Sequence, residues 1–173
     1  MPISLYDAII PSYQQILTAV DGLLGKAEEF CGERKMDPSE LVQARLADDM
    51  LPFAYQVKSC AVHSLGAIDG VRKGVFSPNM TPPPVDLAGL KGQISDALAQ
   101  INDIDPAEMD SFVGRDMRFE FGDRRMDFTA ENFLLSFSQP NFYFHAATAY
   151  DILRHLGVAI GKRDFMGRPR LKG

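Results

Sequence analysis

The sequence predicts an all-α fold, a four-helix bundle with a small β-hairpin between the third and fourth long helices. Three observations carry that prediction. Apolar residues recur at steps of three and four through four long stretches. Capping residues mark where those stretches begin. One segment, Arg118 to Phe128, instead alternates with period two around Gly122-Asp123.

Ser4 followed by Asp7 reads as a cap with an acid in the first turn. From Leu5 through Ile9, Tyr13, Ile16, Val20, Leu23 and Ala27 to Phe30 the spacing predicts one long amphipathic helix, or two pieces if Pro11 kinks it, ending at Gly32. Asp37-Pro38-Ser39-Glu40 is a second start signal, opening a short helix through Ala47. Pro52 starts another, whose inward stripe is Phe53, Val57, Cys60, Ser64, Ile68 and Val71. Gly70 and Gly74 mark its end, and residues 77–85, SPNMTPPPV, read as a crossing loop. Asp86 caps the helix of Leu87, Leu90, Ile94, Leu98 and Ile101, which Asp105-Pro106 stops.

The Gly-first turn pairs Phe121 with Arg124, Phe119 with Met126 and Met117 with Phe128. In the same register Arg118 meets Asp127 and Glu120 meets Arg125. One face is thus mainly apolar and the other carries opposite-charge pairs, which favours this register. The last long helix begins at Pro140, with Ser138 and Gln139 just outside it. Its core face is Phe142, Ala146, Ala149, Leu153 and Leu156, and Gly157 caps its end. A second, more polar stripe on this helix, Asn141, His145, Thr148 and Ile152, is the one able to line a site. His63 lies at the edge of its own helix, on a line with Gln56 and Cys60.

The bulk numbers narrow the function. With 173 residues, 46% apolar and 24% charged, the chain suits a single domain over 1–173 with a core that needs no staples. A net charge of -5 argues against a nucleic-acid partner. No apolar run reaches membrane length. Two cysteines make no disulfide framework. The N-terminus lacks the marks of a signal peptide. The expectation is a soluble, cytoplasmic protein without nucleic-acid or membrane partners. No phosphate-cradling glycine motif or serine-triad signature is present.

The residues PNFYFHAATAYDILRHLGVAIGKRDFMG resemble the closing motif of a bacterial domain-of-unknown-function family within the DinB/YfiT-like helical bundles. The resemblance covers Leu134 to Gly167 closely and extends over the chain. It implies an up-down-down-up four-helix bundle, often a homodimer, in a superfamily described as metalloenzymes. Some branches are thiol-dependent transferases and isomerases. The superfamily's metal site takes one His from the second long helix and a His-x-x-x-His from the last. Carried over, these ligands fall on His63, Asn141 and His145. Asn141 stands where a histidine is usual, and an amide oxygen is a weak ligand for the soft or borderline metals that imidazole prefers. The resemblance therefore implies an incomplete divalent-metal site.

Two function classes follow. The first is a divalent-metal- or thiol-dependent small-molecule transferase or isomerase with a degenerate metal site. The second is a metal-free protein, binding a small molecule in the bundle or acting as a dimeric, stress-related interaction module, with His63 and His145 structural. A weaker third is a zinc-handling protein in which Cys60 joins His63 at i,i+3. His155 falls outside any shared site, roughly 15 Å along the helix from His145.

Overall fold

The computed structural model describes residues 3–172. The Ser4 hydroxyl accepts from the Asp7 amide at 3.0 Å, and helix α1 then runs unbroken over Leu5–Arg34 with Pro11 inside it. Gly32 does not end it. The stop is Lys35, in the left-handed region at φ 52, whose N–H reaches the Cys31 and Gly32 carbonyls. Helix α2 spans Pro38–Gln43, capped by Asp37 as expected, and stops before Ala47 because Ala44 turns extended.

The helix predicted to start at Pro52 is two helices, α3 (Phe53–Val62) and α4 (Leu65–Lys73). Between them His63 takes φ -89, ψ 5 and Ser64 takes φ -111, ψ -90. The buried Ser64 hydroxyl donates to the Cys60 carbonyl at 2.6 Å, a back-bond that bends helices. The stripe from Phe53 to Val71 is nevertheless buried throughout, so the apolar pattern survives the break. Gly74, left-handed at φ 74, ends α4.

Strand β1 (Val75–Phe76) follows at once. Residues 77–85 then cross without regular structure, and Lys58, 2% exposed, donates its ammonium to the Asn79 and Thr81 carbonyls. Helix α5 (Leu87–Asn102) is capped by Asp86, which accepts from Gly89 at 2.7 Å. α5 has ended before Asp105-Pro106, which is also a start: Asp105 caps the short α6 (Pro106–Asp110).

Strands β2 (Asp116–Phe121) and β3 (Arg124–Thr129) pair in the predicted register, from Met117 with Phe128 to Phe121 with Arg124. Gly122 takes φ 57 in the turn. The all-α expectation needs correction here. β1 pairs parallel with β2, Phe76 opposite Phe119, and completes a three-stranded sheet of order β1-β2-β3. Gly70 permits that packing, because a Cβ there would come 2.9 Å from the Phe76 Cβ. The fold is mostly helical with a small mixed sheet.

The last helix also departs from expectation at its start. Helix α7 (Ala130–Asn132) passes into a π-helical turn, Phe133–Ser138, and on into α8 (Gln139–Leu156). Ser138 is inside the helical run at φ -74, ψ -45, with no capping bond. The Gln139 N–H reaches back five residues to the Leu134 carbonyl. Proline cannot donate and its ring crowds the carbonyl four residues back; a widened turn accommodates Pro140 without breaking the helix. Gly157 ends α8 at φ 95 as predicted. The basic tail folds back as α9 (Lys162–Met166), held by Gln15 donating to the Met166 carbonyl at 2.7 Å and by Phe165 edge-on to Tyr150. In the core α1 packs on α5 and α8, and α3 on α8 and α5.

Candidate functional site

The α3–α8 contact brings His63 and His145 together. Their ring centroids are 5.6 Å apart and the rings stack, 17° from parallel. His145 comes from the second turn of α8, one turn beyond Asn141, and both are half-buried. His63 sits at the joint after α3, also half-buried. Aromatic rings frame the pair. Phe76 and Phe137 lie at 5.7 and 6.2 Å from His63, and Phe144 and Tyr55 at 5.3 and 6.0 Å from His145.

Each imidazole is held by one nitrogen. His145 Nδ1 lies 2.7 Å from Gln56 Oε1. The Gln56 amide nitrogen donates to the Leu51 carbonyl at 2.8 Å, which leaves its oxygen facing the ring. His145 Nδ1 therefore carries the proton and its Nε2 is a lone pair. On His63, Nδ1 stands 3.4 Å from the Ser138 hydroxyl, which also meets the His63 carbonyl at 3.0 Å. Asn141 spends an amide proton on the Phe137 carbonyl at 2.7 Å, so Oδ1 is its free end. Among the described residues, no hydrogen bond engages either Nε2 or Asn141 Oδ1.

Burial sets the electrostatics. It pushes the His63 pKa from 6.5 to about 4, with the neighbouring His145 charge adding to the effect. Burial alone pushes His145 to about 4. Both rings are neutral at pH 7. The Cys60 thiol, fully buried and pushed up to about 12 by desolvation, points at the Gln56 carbonyl. The thiol thus makes its contact with the backbone of its own helix. His155 is exposed in the last turn of α8. Two open clefts of 460 and 480 Å³ flank the sheet around Gly74 and Asp116, away from the histidines.

Gln56 and Ser138 escaped the sequence reading as site residues. Gln56 had one signal, its place on the His63 line, whereas Ser138 was read as lying outside the helix.

The chain is mostly helical with a small sheet, and two imidazoles meet where its second and last long helical stretches pack. A solved DinB family member from Shewanella denitrificans is similar over 98% of this chain and 95% of its own, with 25% identity and a TM-score of 0.81. A search of curated proteins finds no match. The family described as "Domain of unknown function (DUF1993)" matches residues 5–166, and the chain belongs to that family.

The resemblance to the DinB/YfiT-like bundles implies a divalent metal, and the donor set tests the fit. An ion about 2.0–2.1 Å from each of two imidazole nitrogens puts the ring centroids roughly 5–6 Å apart. The observed 5.6 Å separation agrees. The free donors, two Nε2 atoms and one amide oxygen, suit a borderline cation. Ring orientation is the obstacle. A shared ion lies in both ring planes, so stacked rings must turn. His63, held at 3.4 Å, is freer to do so than His145 at 2.7 Å. The structure thus brings His63 and His145 together, and among the described residues it gathers no metal centre of three or more His, Cys, Asp or Glu side chains around them.

Proposed function

We propose that this chain is a cytoplasmic DinB-like bundle, one domain over 1–173 with the up-down-down-up course. In this reading it handles a small molecule at His63, Asn141 and His145. These three residues hold a divalent ion, Zn, Ni or Mn. The single observation that supports this is the division of labour on each ring, with Nδ1 engaged inside the protein and Nε2 without a hydrogen-bond partner among the described residues. Metal-ligating histidines are oriented in this way. Such an ion supplies Lewis acidity toward a substrate oxygen or sulfur. The protein's own part is to keep both imidazoles neutral, hold His145 through Gln56, and offer Asn141 Oδ1 as the third donor. A transferase or isomerase acting on a small thiol-bearing or polar substrate is the matching activity class, and a homodimer is the expected assembly.

A second reading is favoured by the stacking itself. Rings 17° from parallel, flanked by Phe76, Phe137, Phe144 and Tyr55, are packed as an aromatic pair would be. In that reading the protein is a metal-free small-molecule or dimeric interaction module. Elemental analysis of protein purified without a histidine tag, with thermal scans in added Zn²⁺, Ni²⁺ or Mn²⁺, separates the two. A ligand at 100 times its Kd stabilises the native state by about 2.7 kcal/mol. The metal reading requires such a rise in Tm, and requires it to vanish in His145→Ala. No rise with any of the three ions refutes it.

A further inference from the structure

Behind the imidazole pair lies a buried polar layer that neither reading uses. Ser138 ends the π-helical turn and is 0% exposed. Tyr13 of α1 is also 0% exposed, with its ring edge-on to Phe142 at 4.7 Å. Its hydroxyl stands beside Ser138, outside hydrogen-bonding geometry, and has no partner among the described residues. An unpaired buried hydroxyl is uncommon and calls for an explanation.

A serine hydroxyl has one proton and two lone pairs. The Ser138 proton is directed at the His63 carbonyl at 3.0 Å, the shorter of its two contacts. Toward His63 Nδ1 the oxygen is then an acceptor, so that nitrogen must be the one bearing hydrogen. One lone pair remains, and the Tyr13 O–H is the neighbouring donor able to fill it.

We infer that Tyr13 and Ser138 are positioning residues for His63. Ser138 fixes the Nδ1–H tautomer of His63 and thereby presents the Nε2 lone pair to a Lewis-acidic ligand, and Tyr13, the adjacent donor, backs Ser138. The identity of that ligand rests on the metal reading above, but the tautomer does not. The π-helical turn is part of the device, since it delivers Ser138 to the joint between α3 and α4.

The test is long-range 1H–15N correlation spectroscopy of the imidazoles in the full, metal-free chain at pH 7. Wild-type His63 should give a single-tautomer pattern, with Nδ1 protonated and Nε2 bare. Ser138→Ala should lose that pattern for His63 and keep it for His145, and Ser138→Thr should restore it. Tyr13→Phe should shift the His63 Nδ1 resonance in the same direction by less. A wild-type His63 protonated on Nε2 overturns the inference, as does an unchanged His63 pattern in a folded Ser138→Ala. If Ser138→Ala does not fold, Tyr13→Phe decides, and an unmoved His63 resonance there overturns the inference. Added Zn²⁺ is a separate arm. A single Nδ1–H tautomer whose Nε2 ignores Zn²⁺ keeps the positioning role and removes the metal.

Discussion

Acid should destabilise this protein through two rings in particular. His63 and His145 titrate at about 4 in the fold against 6.5 for a free imidazole. Between those values the unfolded chain binds protons that the folded chain refuses, so stability falls as pH falls through this window. The contribution is fully present above pH 6.5 and is lost toward pH 4. Each pH unit crossed inside the window is worth about 1.4 kcal/mol per ring at most. Moving from pH 7 to pH 4.5 therefore costs roughly 2 kcal/mol per ring, and less where water reaches the ring edge. Carboxylates titrate in the same range, so the comparison must be with a variant that keeps the packing. Asparagine stays neutral and places an N–H near the position of Nδ1, which makes His63→Asn/His145→Asn the control. Urea denaturation at pH 7.0, 5.5 and 4.5 measures both chains. The wild type should lose about 2–4 kcal/mol more than the double variant across this range. Equal losses in the two chains would refute the claim that burial holds these rings neutral.

Gln56→Leu strands the His145 Nδ1–H and the Leu51 carbonyl. It should cost about 1–3 kcal/mol in chemical denaturation and weaken any metal-induced rise in Tm. Gly70→Ala drives a methyl to 2.9 Å from the Phe76 Cβ. A loss of about 1–3 kcal/mol is expected, and an unchanged Tm would contradict the close helix–strand contact. Lys58→Met removes the one side-chain ammonium on the Asn79 and Thr81 carbonyls. Amide hydrogen exchange in residues 77–85 should quicken while α5 stays protected, and uniform protection would refute the anchoring role.

The hairpin was legible to the residue because three signals coincide in it: alternation, a glycine turn and two cross-strand charge pairs. Its third strand was not, since Val75–Phe76 is too short for any period and finds its partner about forty residues on. The break at His63–Ser64 was hidden for a different reason. The buried stripe keeps helical spacing straight across it, and the bend comes from a hydroxyl turning back on Cys60. Pro140 misled in the opposite direction, because a first-turn proline and one accommodated by a π turn look alike in sequence. Of the candidate site, His63 and His145 were readable as stripe-edge residues on helices that pack. Gln56, Ser138 and Tyr13 act across helix contacts, and sequence spacing along one helix carries no such information.

The joint after α3 has one further consequence. His63 rests on Phe76 and Phe137, and both of those rings touch Phe119 of β2. The hairpin and the imidazole are therefore geared through a train of phenyl rings. The sheet thereby forms one wall of the aromatic surroundings of His63, and Phe121, 46% exposed, stands at the hairpin's outward end.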